Sequence, residues 1–152
     1  MLVELSTNVW KSLLKPMPVW IIIVGVIALA IVVSWLLNVR TRRIAEQRAG
    51  EGFTEFAAHF AGQDIPREIL VDTYNYFENW HAHAVENFPV RATDRIANIY
   101  GIVGTDLTDA VEELLTKAGK RWFKETEQPH PPRAETVEDV VLYVASAPLS
   151  WQ

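Results

Sequence analysis

Cysteine is absent from the 152 residues. That absence excludes a disulfide framework, a thiol nucleophile and a Cys-based zinc site, and with them an extracellular disulfide-stapled module. No alternating strand pattern of useful length occurs, and no internal repeat. Serine, histidine and aspartate all occur, but no nucleophile elbow or phosphate-binding loop frames them. The expectation is therefore a protein with no enzymatic activity, no cofactor and no metal. Basic residues are scarce beyond the first third of the chain. From Ala49 onward there are 17 acidic and 8 basic side chains, a net charge of −9. Such a surface repels nucleic-acid phosphates and suits a basic protein surface instead.

What the chain does have is one long charge-free run, "VWIIIVGVIALAIVVSWLLNV" over residues 19–39. It is about the length a helix needs to cross the hydrocarbon core of a bilayer. Trp20 and Trp35 lie near its ends, where indole rings favour the headgroup level. A secretory signal fits poorly, because the apolar stretch is too long and "NVRTRR" stands where a small-residue cleavage site belongs. A buried soluble helix fits poorly too, since so small a domain has little with which to cover every face. Residues 18–39 are read as a transmembrane helix preceded by a short flank, 1–17. Arg40, Arg42, Arg43 and Arg48 against Glu46 outweigh Lys11 and Lys15 against Glu4 by a small margin. The excess places the C-terminal side in the cytoplasm, behind a single span of the cell (inner) membrane. Trp20, Trp35, Arg40, Arg42 and Arg43 are the expected membrane-interface residues. The N-terminal "STNVWKSLLKP" carries Trp10, Leu13 and Leu14, a pattern suited to an interfacial helix. Ala30 and Ser34 form a small-xxx-small pair of the kind found at helix–helix contacts.

Residues 40–63 read as a basic, amphipathic juxtamembrane linker helix, loosened at Gly50 and Gly52. Phe53, Phe56 and Phe60 fall on one side of it, either to lie on the membrane or to brace the domain. A helix then starts with Asp64 as N-cap and Pro66 in its first turn. Ile69, Thr73, Tyr76 and Trp80 form its apolar stripe, widened by Leu70 and Phe77. Pro89 excludes regular helix from the loop that follows. Leu107, Ala110, Val111, Leu114, Leu115 and Ala118 recur at i, i+3, i+4, i+7, i+8 and i+11, predicting an amphipathic helix from about Thr105 that Gly119 ends. "RWFKETEQPHPPR" is a polar loop whose Trp-Phe pair folds back on the core. Thr136 and Asp139 form a capping-box variant ahead of Val137, Val140, Val141 and Val144. Valine favours strands by propensity, but this spacing is helical. The fold class is all-α: a single N-terminal transmembrane helix followed by a small helical bundle over residues 64–152.

The order helix, long loop, "DRIANIYGI", turn, acidic helix, loop and "ETVEDVVLYV" resembles an acyl carrier protein over roughly Ile65 to Ala147. That family carries a phosphopantetheine arm on a serine at the start of its second helix. In the ungapped register Gly104 falls on that serine and Asp106 on a family aspartate. A shifted register puts Leu107 there. Neither residue has a hydroxyl, so the resemblance implies a carrier-like fold that has kept its acidic docking helix without its cofactor. Independently of any family, Asp106, Asp109 and Glu113 lie at i, i+3 and i+7 with Glu112 adjoining. They are the expected partner-binding residues, although an ordinary solvated helix face with acids favoured by the dipole reads the same way.

His81 and His83, with Glu78 one turn back, have a loose metal-site pattern, but exposed histidines at a helix end are the commoner arrangement. "PHPPR" matches a PxxP ligand with an arginine, and also a proline-stiffened loop. The function expected is a non-catalytic, membrane-anchored adaptor or accessory subunit whose partners are other subunits of a membrane complex, the bilayer and a basic protein surface. The alternatives are a tethered acyl or lipid carrier with a nonstandard attachment residue, or an immunity-type inhibitor.

Overall fold

Residues 19–124 and 134–150 are described by a computed structural model; the N-terminal flank, its interfacial pattern and "PHPPR" lie outside the described residues. Among the described residues there are six helices and no strand: α1 Val19–Gln47, α2 Phe53–His59, α3 Arg67–Trp80, α4 Ile96–Ile99, α5 Thr105–Lys117 and α6 Val137–Ser146. The chain divides into two compact units, Met1–Arg40 and Thr41–Gln152.

In the first unit, α1 is apolar all round and every residue from Val19 to Leu37 is exposed. Its most apolar window has a mean hydropathy of 2.9. Residues 19–39 rise about 32 Å at 1.5 Å per residue, so this helix is long and apolar enough to cross a membrane. Trp20 and Trp35 are both exposed on it.

The second unit begins within the last turns of α1, where Ile44 and Ala45 pack on the hydrophobic core. The helix stops at Gln47 and a turn leads into α2. Phe56 and Phe60 are buried, and Phe53 and Phe56 each set an edge against Tyr74 at 5.7 and 5.4 Å. Of the two readings open for this phenylalanine stripe, packing on the domain is the one realised: Phe53 and Phe56 find an aromatic partner in α3, and Phe60 is buried against Phe56.

Helix α3 is central and packs against α2, α5 and α6. Its start differs from the sequence expectation. Pro66 is the N-cap, in extended backbone, and Asp64 makes no side-chain cap. The buried face is also rotated. Ile69, Leu70, Thr73, Tyr74 and Phe77 are buried, whereas Tyr76 is half-buried and Trp80 is exposed. Tyr74 takes the inner position because α2 offers it two phenylalanine edges, which turns Tyr76 and Trp80 to the rim.

Helices α5 and α6 follow their sequence patterns. Ala110, Val111, Leu114 and Leu115 are buried on α5. Gly119, at φ +65°, closes it with two reverse bonds: its N–H donates to Thr116 O at 3.1 Å and that of Lys120 to Leu115 O at 2.8 Å. Helix α6 has its capping box, with Asp139 N–H donating to Thr136 Oγ1 at 3.2 Å and Thr136 N–H to Asp139 Oδ2 at 2.9 Å. The next two donors at this helix start go to the carbonyls of Asp94 and Ala92 at 3.1 and 2.8 Å, so the loop before α4 is sewn to α6. Trp122 and Phe123 do fold back, each with its ring against Tyr143.

Candidate functional site

Helix α5 carries the acidic edge. Asp106, Asp109, Glu112 and Glu113 are all exposed, because the apolar residues at 110, 111, 114 and 115 turn the opposite face inward. Glu113 pairs with Lys117 one turn on, at 2.7 Å. Asp106, Asp109 and Glu112 have no ion-pair partner among the described residues. The direction of the edge can be read from Tyr76 across on α3. Burial pushes the Tyr76 hydroxyl above its ordinary range, and the carboxylates of Glu113, Asp109 and Asp106 push it further. Between the two helices runs a groove lined by Asp72, Asn75, Tyr76, Asn79, Trp80, Glu113 and Lys117.

Gly104 stands at the N-cap of α5 with φ +57° and ψ −122°. A β-carbon there would meet nothing within 4 Å, so space is not the obstacle. The backbone is: this region of φ/ψ space is open to glycine and strained for other residues. A side chain at this position would therefore be strained by the backbone rather than by its neighbours. Thr108 Oγ1 leans back on it, donating to Gly104 O at 3.4 Å.

The loop that leads to Gly104 is held by a buried cluster that sequence patterns alone do not reveal. Arg48, in the turn after α1, donates from Nη2 to Asp94 Oδ1 at 2.6 Å and from Nη1 to Oδ2 at 2.8 Å. Nη1 also reaches Pro89 O at 3.0 Å, and the guanidinium lies 5.9 Å from the Phe88 ring centroid. Asp94 Oδ2 further accepts from Arg91 N–H and from the Tyr100 hydroxyl, each at 3.0 Å. Arg48 and Asp94 are both buried, at 9 and 4 % exposure. Burial, and then the Asp94 carboxylate, push the Tyr100 hydroxyl far above its ordinary range. Outside this cluster an exposed pair between Arg91 and Glu51 closes the same loop. Its hydrogen bonds hold the Glu51 carboxyl below the usual carboxylate range. Arg48 thus belongs to the domain core, whereas its place after "RTRR" had counted it with the membrane flank. The signal for the rest was present: Phe88, Val90 and Ala92 alternate as in an extended, inward-facing segment, and all three are buried.

No family model, curated protein or solved structure matches this chain. The residues must therefore be read on their own geometry. Arg40, Arg42 and Arg43 are exposed, with Arg42 Nε donating to Ala84 O at 3.4 Å. Among the described residues no three His, Cys, Asp or Glu side chains gather as a metal site would require.

The two histidines part company. His83 is exposed, but His81 is buried, which corrects the expectation of two exposed helix-end imidazoles. The His81 ring stacks on Tyr100 at 5.2 Å and packs on Phe88 at 4.6 Å. Its Nε2 lies 3.1 Å from Ile99 O, a contact that places the proton on Nε2. Burial pulls its pKa below the ordinary value near 6.5. The folded state then binds this proton less readily than the unfolded chain, so stability is lost as pH falls below about 6.5 toward the lower folded pKa. Thermal melts between pH 7.5 and 5.5 should show the melting temperature falling with acidification, as His81 removes at most about 1.4 kcal/mol of stability per pH unit. His81→Phe should flatten that slope.

Proposed function

We propose that this chain is a membrane-anchored, non-catalytic adaptor or accessory subunit that docks a basic partner through α5. The observation that carries the reading is the run of exposed carboxylates at Asp106, Asp109 and Glu112, with no ion-pair partner among the described residues, beside the Glu113–Lys117 pair. A fixed anionic edge of this kind raises encounter rates with an Arg/Lys surface and weakens with salt. The resemblance of Ile65–Ala147 to an acyl carrier protein supports it, since a carrier's acidic second helix is its docking face. The conformation of Gly104 weighs against the carrier chemistry itself. Helix α1 is the anchor, with Trp20 and Trp35 at the headgroup levels. Arg40, Arg42 and Arg43 keep the domain on the cytoplasmic side of the inner membrane; Arg48, engaged by Asp94, no longer enters that count.

The test is co-purification in mild detergent of the chain carrying D106K, D109K and E113K together. Partners held by the wild-type chain should be lost, while the far-UV circular dichroism and melting temperature stay unchanged. Undiminished recovery of the same partners at low salt would count against docking through α5.

A further inference from the structure

We propose that the groove between α3 and α5 receives an arginine side chain of the basic partner, its guanidinium laid along Tyr76 and Trp80 and turned toward Asp72 and the α5 carboxylates. The inference rests on the adaptor reading and names the group that the groove selects. Tyr76 and Trp80 sit one turn apart on α3, with ring centroids 6.2 Å apart and planes only 30° from parallel, so they form a ledge. Trp80 is a large apolar ring left 38 % exposed in a domain that buries most of its aromatics. It is not free to swing, because its Nε1–H donates to Tyr100 O at 2.8 Å. Tyr100 in turn donates to the buried Asp94, so the ledge is fixed by the core. A surface oriented before binding loses little side-chain entropy when a partner arrives.

Charge selects the occupant. Asp72 and Glu113 line the groove, and Asp106 and Asp109 act on the Tyr76 hydroxyl along with Glu113. An aromatic face flanked by carboxylates attracts a cation through the ring quadrupole and through charge together. Guanidinium suits it better than ammonium: it is planar, weakly hydrated, stacks on rings and offers a fork of donors to carboxylates. A negatively charged membrane or a nucleic acid is repelled by the same carboxylates. One cation is already present. Lys117 lines the groove, paired with Glu113, and an incoming arginine competes with it for that carboxylate.

The experiment uses the full chain in zwitterionic detergent micelles and two capped decapeptides, one alternating Arg and Gly, the other Lys and Gly. Binding is read from the shift of the Trp80 indole N–H resonance, identified by its loss in Trp80→Phe. The Arg peptide should bind about fivefold more tightly than the Lys peptide, the size of an exposed cation–π contribution. Tyr76→Leu should weaken the Arg peptide by about the same factor and the Lys peptide by less. Lys117→Gln, a change at an exposed position, should tighten the Arg peptide. Equal binding of the two peptides, no shift at Trp80, or no gain with Lys117→Gln each overturns the arginine groove. Co-purification that still requires Asp106, Asp109 and Glu113 alongside such a result leaves the adaptor reading standing, whereas co-purification that no longer requires them overturns the reading itself.

Discussion

Replacing Arg48 with alanine should destabilise the domain by about 3–5 kcal/mol, because it leaves the Asp94 carboxylate buried without its cation. Removal of Asp94 should cost a similar amount, this time by stranding the guanidinium. For a domain of this size that corresponds to a fall in melting temperature of roughly 10–20 °C. The cause is specific to the geometry. Asp94 accepts from Arg48 twice, from Arg91 N–H and from Tyr100, and at 4 % exposure water can replace little of this. Exposed pairs such as Arg95–Glu135 are the contrast, each expected to change stability by less than about 1 kcal/mol when broken. A double-mutant cycle over Arg48 and Asp94 provides the check. The double variant should be far less destabilised than the sum of the singles, since neither charge is then left alone. A melting temperature within a few degrees of wild type for either single variant would show that the pair is solvated in solution.

The second large effect should come from Phe77→Ala, which is expected to cost about 3–5 kcal/mol. Phe77 is completely buried in the last turn of α3, the helix against which α2, α5 and α6 all pack. Its ring lies 4.8 Å from that of Tyr100 and 5.5 Å from that of Tyr76. Truncation removes the transfer energy of the ring and also leaves a cavity that three helices cannot easily close. Phe77→Leu keeps most of the volume and should cost less than about 1.5 kcal/mol. Denaturant titration of the two variants separates the terms, with midpoints falling in the order wild type, leucine, alanine and the slope unchanged. Equal midpoints for the leucine and alanine variants would mean that the surrounding helices collapse into the space.

The helices of this protein were legible because each carries its own periodic signal. The i, i+3, i+4, i+7 spacing of α5 and α6, the Thr136–Asp139 cap and the Gly119 stop are all local, and the structure contains each of them. The exposed acids at 106, 109, 112 and 113 follow from the same arithmetic, since the buried positions of a helix dictate which remain outside. Where the structure departs from the local pattern, the deciding contact is remote. Pattern alone put Tyr76 and Trp80 on the buried stripe of α3, and the phenylalanines of α2 drew Tyr74 inward instead. Local charge put Arg48 with the membrane flank, and a carboxylate 46 positions away took it into the core.

The sequence by itself therefore determined the all-α class, the long apolar helix, the capped amphipathic helices and the anionic face of α5. Each of these depends on residues within a few turns of one another. Only the tertiary structure decided that Arg48 and Asp94 lock the loop before α5, that His81 is a core residue, and that Tyr76 and Trp80 border a groove. It also showed that position 104 has a backbone conformation suited to glycine. Those outcomes depend on which distant segment supplies the neighbour, and burial, which sets the cost of an unpaired charge or a stranded ring, is a property of the packed chain rather than of any window along it.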